Sequence, residues 1–246
     1  MAERLANEIT SGLLPPGSTI GTEPELMERF DVSRVTLRHA VDILVDRGLA
    51  ARKQGKGTFV TSTPLSYPLE TLQGTTQVAQ AAGRPLHSEV HSFRTLRGTA
   101  TVRGGLALSD NSKVTECLRI DHSAGGPVAV AIISLPDYIG QKLTKKDLAT
   151  QALYPLLESK AGVHVAVAHQ SMQAEAADER IAKFLHTDPG APVMAVSRIA
   201  RDREGTPVEF STTYFNAEAV RFTLSLHRGS DGDITTPVQF AQIHPT

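Results

Sequence analysis

The 246-residue chain carries 25 Lys and Arg against 26 Asp and Glu, a formal net charge of −1, and 40% of its residues are hydrophobic. It is too apolar for a disordered chain, too close to neutral to coat nucleic acid along its whole length, and long enough for two modest domains or one large one. One cysteine, Cys117, excludes an internal disulfide and a thiolate zinc cluster; the longest apolar run, Val128–Leu135, is too short to span a bilayer and no basic leader precedes the first helix, so a cytoplasmic protein is expected.

In chain order, Ala2–Thr10 reads as an amphipathic helix with Leu5, Ala6 and Ile9 on one face, stopped by Ser11-Gly12. After the turn Pro15-Pro16-Gly17, Thr22 and Glu25 have the spacing of a capping box, and Leu26, Met27 and Phe30 form the apolar face of a short second helix. Ser33 is a good N-cap for a third helix over Arg34–Asp46, in which Leu37, Ala40, Val41 and Leu44 make an apolar stripe while Arg34 and Arg38, one turn apart, share the opposite side. Gly48 ends it through a positive φ, and Leu49–Arg52 and Thr58–Val60 read as short strands around the turn Lys53-Gln54-Gly55-Lys56-Gly57. From Val32 to Val60 six basic residues meet two acidic ones, so a chain of nearly zero net charge concentrates +4 in one motif, as a surface that approaches phosphates requires. The glycine-lysine turn is no nucleotide loop, because a strand pattern and not a helix follows the lysine. Helix, helix, turn, helix and two-stranded wing is the winged helix-turn-helix order, with the third helix placed for the major groove.

The run GLLPPGSTIGTEPELMERFDVSRVTLRHAVDILVDRGLAARKQGKGTFV closely resembles the N-terminal DNA-binding domain of the GntR family of bacterial transcription regulators, over most of residues 1–61. The resemblance implies that Arg34, Thr36 and Arg38 contact bases and phosphates, that Arg52 contacts the backbone, and that the wing at Gln54, Gly55, Lys56 and Gly57 approaches the minor groove. Two positions depart from the family: Pro24 replaces a common arginine contact, and Asp31 stands where glycine is usual, a position it tolerates because it adopts the left-handed conformation with little strain.

Residues 62–69, rich in Ser, Thr and Pro without periodicity, read as a linker, and residues 70–228 as a second domain followed by a tail over 229–246. Strands are expected at Ser88–Leu96, Lys113–His122, Val128–Leu135, Val163–Gln173, Val193–Arg201, Val208–Phe215 and Val220–His227, and helices at Ala100–Ala107, Ala152–Lys160 and Ala176–Leu185. Thr115, Cys117, Arg119 and Asp121 alternate on one face, Val128–Leu135 is apolar enough to be covered on both, and Glu204-Gly205-Thr206 joins two strands as a hairpin. The fold class expected is α+β, an antiparallel sheet with helices against it.

The segments LRIDHSAGGPVAVAIISLP, SRIARDREGTPVEFSTTYF and VRFTLSL are similar to the UTRA domain of the HutC subfamily of GntR regulators, over roughly residues 67–228. The resemblance implies a chorismate-lyase-like fold that dimerises and binds a small effector, with Arg119 as an anion contact, Glu209 recognising hydroxyl or amine groups, Tyr214 or Phe215 as the pocket aromatic, and Ser88 with His87 near a phosphate-holding loop. Asp121 stands where binders of amino-sugar phosphates carry a second arginine and Ala131 where many carry glutamate, which weakens that ligand class; Arg119 pairing internally with Asp121 or Glu209 is the alternative. Catalysis is not favoured. His164 and His169 fall on opposite faces of a strand, His87 and His91 share a face without an acidic partner, Cys117 lacks a base, and Glu175, Asp178 and Glu179 complement a helix dipole. The expectation is a homodimeric, effector-controlled repressor on an inverted-repeat operator in the bacterial cytosol, without cofactor or metal.

Overall fold

Helical periodicity in the first part of the chain is realised almost residue for residue. The computed structural model describes residues 1–10, 13–53, 55–61, 64–123 and 125–226. Helices α1 (Ala2–Thr10), α2 (Glu23–Phe30) and α3 (Arg34–Asp46) precede the hairpin of β1 (Ala50–Lys53) and β2 (Gly57–Val60). At the start of α2 the Thr22 amide donates to Glu25 Oε2 at 2.8 Å and the Glu25 amide to Thr22 Oγ1 at 3.4 Å, so two orphan donors of the first turn are met reciprocally. Asp31 ends that helix at φ 49°, in the left-handed conformation expected of it. Ser33 Oγ accepts from the Thr36 amide at 3.3 Å, and Gly48, at φ 67°, turns the chain off α3. Leu5, Ile9, Leu26, Leu37, Leu44 and Val60 close a core of their own beneath these elements.

The expected linker is corrected by the structure. Leu65–Pro68 is a strand, β3, running parallel to β10 (Val220–Thr223), with Leu65 and Tyr67 buried. Two inward residues between Pro64 and Pro68 are too short a pattern to register as alternation, and their partner strand lies far along the chain. Residues 62–63 of that stretch, the wing residue Gln54 and the tail over 229–246 lie outside the described residues.

The remainder is built on one six-stranded antiparallel sheet in the order β4-β5-β6-β9-β8-β7. Its strands are β4 (His87–Arg97), β5 (Lys113–Ser123), β6 (Gly126–Pro136), β7 (Val165–Ala176), β8 (Pro192–Asp202) and β9 (Pro207–Asn216). One face carries the β3–β10 pair and α4 (Thr75–Ala81), with α6 (Asp137–Gly140), α7 (Lys145–Thr150) and α8 (Leu153–Leu156) beside them. Against the other face pack α5 (Ala100–Gly105) and α9 (Glu179–Leu185). Central β6 is therefore apolar and buried on both sides, as its unbroken hydrophobic run demands.

Three differences from the sequence reading have physical causes. Helices α4, α6 and α7 were not anticipated, because elements of four to seven residues span less than two turns and show no periodicity. The helix expected over Ala152–Lys160 divides into α8 and a π-helical turn, Leu157–Ala161, with Pro155 in its first part. The helix expected from Ala176 begins only at Glu179, since β7 stays paired with β8 through Ala176. Gly140 sits so close to β5 that a Cβ there would fall 2.1 Å from Thr115 Cβ.

Candidate functional site

Two surfaces collect the singled-out residues. On α3 the buried stripe Leu37, Ala40, Val41 and Leu44 leaves Arg34, Val35, Thr36, Arg38 and His39 facing outward. The sequence reading passed over Val35 and His39; that Val35 falls off the apolar stripe was the available signal, and the structure leaves it 79% exposed. Glu23 lies between the two arginines, 3.4 Å from Arg34 Nε and 3.1 Å from Arg38 Nε, and so holds both forks on one side. Exposed pairs of this kind are weak enough for a phosphate or a base edge to replace the carboxylate. Pro24, next to it, occupies the first turn of α2. Arg52 reaches back to Asp42 on α3 at 2.7 Å, bracing the wing against the helix while remaining half exposed.

In the wing Lys53 pairs with Gly57 across the hairpin, and its ammonium lies 4.8 Å from the centre of the Phe59 ring. Gly55 and Gly57 have φ of 71° and 104°, conformations that a side chain would strain, and open space where a Cβ would stand. Lys56 between them is exposed. The turn thus offers bare backbone flanked by cations.

The second surface is an internal cavity of ≈ 40 Å³ on the β3–β10 face of the sheet. Sheet register assembles it. Arg119, Ala131, Thr213 and Val196 follow one another across β5, β6, β9 and β8, and the next row is Cys117, Ile133, Ser211, Arg198 and Gln170, ending on β7. Phe215 and Glu209 continue the two ends on β9, and Tyr67, Phe222 and Tyr154 roof the space from β3, β10 and α8. An outer cleft of ≈ 270 Å³ lies against Pro68–Leu72 and β7 and shares Tyr67, Gln170 and Arg198 with the inner cavity, so these three side chains form the partition.

Of the expected contacts, Arg119 and Glu209 line the cavity, 4% and 3% exposed. Asp121, fully buried behind Arg119, places its Oδ1 3.1 Å from the arginine Nε; it accepts from Arg119 Nη2 at 3.3 Å and from Ser88 Oγ at 2.6 Å. Ser88 and Asp121 therefore brace the arginine and stay outside the cavity wall. Among the described residues, Arg119 Nη1 and Glu209 Oε2 are buried without a hydrogen-bond partner. Tyr214 alternates to the opposite face, toward α9, where burial first and the carboxylates of Glu175 and Asp178 second raise its pKa; Phe215 is the cavity aromatic. His87 lies at the exposed start of β4 with its ring 6.5 Å from that of His122, away from the cavity.

Arg198, Tyr67, Tyr154 and Gln170 were missed. Arg198 donates to Gln170 Oε1 from Nε (2.9 Å) and Nη2 (2.5 Å), to the Gln73 carbonyl and Tyr154 hydroxyl from Nη1 (3.0 Å each), and to the Tyr67 hydroxyl from Nη2 (3.3 Å). Burial opposes its charge, but the hydroxyls of Tyr154 and Tyr67 and the carboxylate of Glu209 outweigh it and raise the pKa. Burial, then Glu209, raises that of Tyr154 in turn. An arginine two residues after Val196, on the inward phase of a strand otherwise apolar, was the legible sign.

Side chains weighed for catalysis have structural surroundings. Burial pushes the Cys117 thiol up to about 11. Next to the register shift between Val90 and Ser92, His91 packs its ring on that of Phe184, 4.8 Å away, on the α9 side of the sheet. Asp178 caps α9, accepting from the Ile181 amide at 2.7 Å.

Residues 1–60 match the family described as bacterial regulatory proteins, gntR family, and residues 81–221 match the UTRA domain. An HTH-type transcriptional regulator of Mycobacterium tuberculosis is 31% identical over 98% of this chain and 91% of its own length. The HTH-type transcriptional repressor NagR of Bacillus subtilis is 25% identical over 92% of this chain and 93% of its own. The crystal structure of PhnF from Mycobacterium smegmatis covers 93% of this chain and 99% of that one with a TM-score of 0.64 at 21% identity, a likeness of fold.

Proposed function

We propose that this chain, which belongs to the GntR family of bacterial transcription regulators and is a DNA-binding regulator with a UTRA effector-binding domain, acts as a homodimeric repressor in the bacterial cytosol. The observation that carries the reading is the outward face of α3, where two exposed arginines one turn apart both pair with Glu23, beside a wing whose glycines leave backbone bare. Arg34 and Arg38 read guanine edges or grip phosphates, Thr36 contacts the backbone, and Val35 meets a thymine methyl, the apolar feature of the major groove. Arg52 and Lys56 neutralise phosphates flanking the site, and the turn around Gln54, Gly55 and Gly57 enters the minor groove.

The cavity between the sheet and the β3–β10 pair is read as the effector site, with Arg119 Nη1 and Glu209 Oε2 as the groups awaiting a ligand. Its volume of ≈ 40 Å³ holds only a few waters, so binding must lift the roof. Tyr67 in that roof belongs to the strand that leads out of the DNA-binding head, which gives occupancy a route to the operator. Dimerisation is supported by β7, a twelve-residue edge strand exposed along most of its length and including Met172. The chain is read as non-catalytic, in keeping with relatives named as regulators and with a thiol too basic to serve as a nucleophile.

Selection of duplexes from a random-sequence library by the full-length protein tests the reading. An enriched inverted repeat, bound more tightly than shuffled DNA as salt is raised, is the expected result. Recovery of unrelated sequences with a purely salt-governed affinity would overturn it.

A further inference from the structure

The charges inside the cavity balance. Arg119 is neutralised by Asp121 behind it, and Arg198 faces the same space as Glu209. Among the described cavity residues, Arg119 Nη1 and the anionic acceptor Glu209 Oε2 are buried without a hydrogen-bond partner, as is Arg119 Nε, which is turned to Asp121 at 3.1 Å as an ion contact only. Arg198 differs from Arg119 in its partners: among the described residues its five hydrogen bonds all end on neutral oxygens. This partly buried guanidinium has Glu209 near it but no carboxylate hydrogen-bonded to it, and exchange of a neutral acceptor for a carboxylate strengthens the contact.

We propose that Arg198 is the carboxylate anchor of a zwitterionic, amino-acid-like effector whose ammonium group binds Glu209, an assignment that rests on the reading of the C-terminal domain as an effector-binding module. A phosphate dianion would bring two negative charges into a space that is neutral as built, whereas a zwitterion adds none and offers a partner to Arg119 Nη1 and to Glu209 Oε2. Arg119 Nη1 supplies a second donor to the carboxylate. The side chain of the ligand extends past the partition formed by Tyr67 and Gln170 into the outer cleft, which has the larger volume.

Regulation follows from the same exchange. The acceptors that the carboxylate displaces from Arg198 include the Tyr67 hydroxyl on β3 and the Gln73 carbonyl just before α4. A bound ligand therefore releases the roof strand from the sheet arginine at the point where the chain arrives from the DNA-binding head.

The test is a thermal-shift and calorimetric screen of the full-length protein against the twenty proteinogenic amino acids, with D-glucose 6-phosphate and D-gluconate as the dianion and the anion lacking an ammonium group, each at about 10 mM. The amino acid that stabilises most is then compared with its methyl ester in wild type, Arg198→Gln and Arg198→Lys. The expected result is stabilisation by at least one amino acid, its affinity reduced tenfold or more by R198Q and less by R198K, with the methyl ester bound alike by all three. R198K retains the charge without the fork, so it reads the same ratio should R198Q fail to fold. Equal loss of amino acid and ester would make Arg198 a structural clamp and overturn the assignment, as would a stronger response to either control or no response to any amino acid. Binding to the selected operator is measured on the same preparations: its absence in wild type condemns the regulator reading itself, while intact operator binding with any of the adverse ligand results condemns only the amino-acid assignment.

Discussion

Arg38 stands 62% exposed on the outward side of α3, and its partner among the described residues is the Glu23 carboxylate, an exposed pair that a duplex can replace. Its substitution by alanine should cost about 1–3 kcal/mol in operator binding and relax the preference at one base position, as removal of a bidentate base contact does. Fluorescence anisotropy against the selected operator and single-base variants checks this; unchanged affinity and unchanged preference would take Arg38 out of the interface. At the other extreme of burial, Cys117 keeps its proton to about pH 11 where an unfolded cysteine loses it near 9.0. Between those values the folded state binds the more protons, so stability declines as pH rises through that window, and the decline is absent in Cys117→Ala. Urea titrations of both proteins across the window measure it, and alkylation of the native wild-type thiol at about pH 8 should be far slower than in urea.

At the scale of elements, β3 decides how the two halves are joined. A flexible linker would tolerate Leu65→Ala with little change in stability. Leu65 is instead 3% exposed and packed with Tyr67, Val78 and Val220, so the truncation should cost about 2–5 kcal/mol by denaturant titration. A cost near zero would restore the linker. The same strand shows why part of the site was illegible. Helix α3 announces itself through the periodicity of its 13 residues, a cap and a stop, all local. Tyr67 becomes a wall of the cavity only because residues far along the chain pair with its strand, and no local pattern encodes that pairing. Arg119 and Glu209 follow from the family resemblance; the inward phase of Arg198 is legible in β8, but its role depends on Gln170, Tyr154 and Tyr67, which meet it only in the fold.

For the whole molecule, the long edge of the sheet is the feature that a lone protomer leaves unexplained. Met172 lies on β7 with 43% of its surface open, and a charge placed there by Met172→Glu should shift a dimer toward monomer in sedimentation experiments and weaken binding to an inverted repeat far more than to a half-site. An unchanged sedimentation coefficient would move the dimer contact elsewhere. Coupling between the domains is reciprocal by linkage: an effector that weakens operator binding by some factor is itself bound more weakly by that factor in the presence of operator.

The sequence by itself determined the DNA-binding head, because every signal that builds it is short-range: a capping box, a hydroxyl N-cap, a left-handed Asp31, a glycine stop and a hairpin whose glycines carry no side chain. It also determined the six strands of the main sheet, through apolar patterning and turns, though not β3. Only the tertiary structure decided which strands are neighbours, and with that which side chains share the cavity: that Phe215 and not Tyr214 faces it, that Asp121 neutralises Arg119 from behind, and that Arg198 stands across from Glu209. The reason is that a helix pattern is closed within its own hydrogen bonds, whereas a sheet site is a row drawn across strands, and its members meet only after registers have been chosen between segments that are distant in the chain.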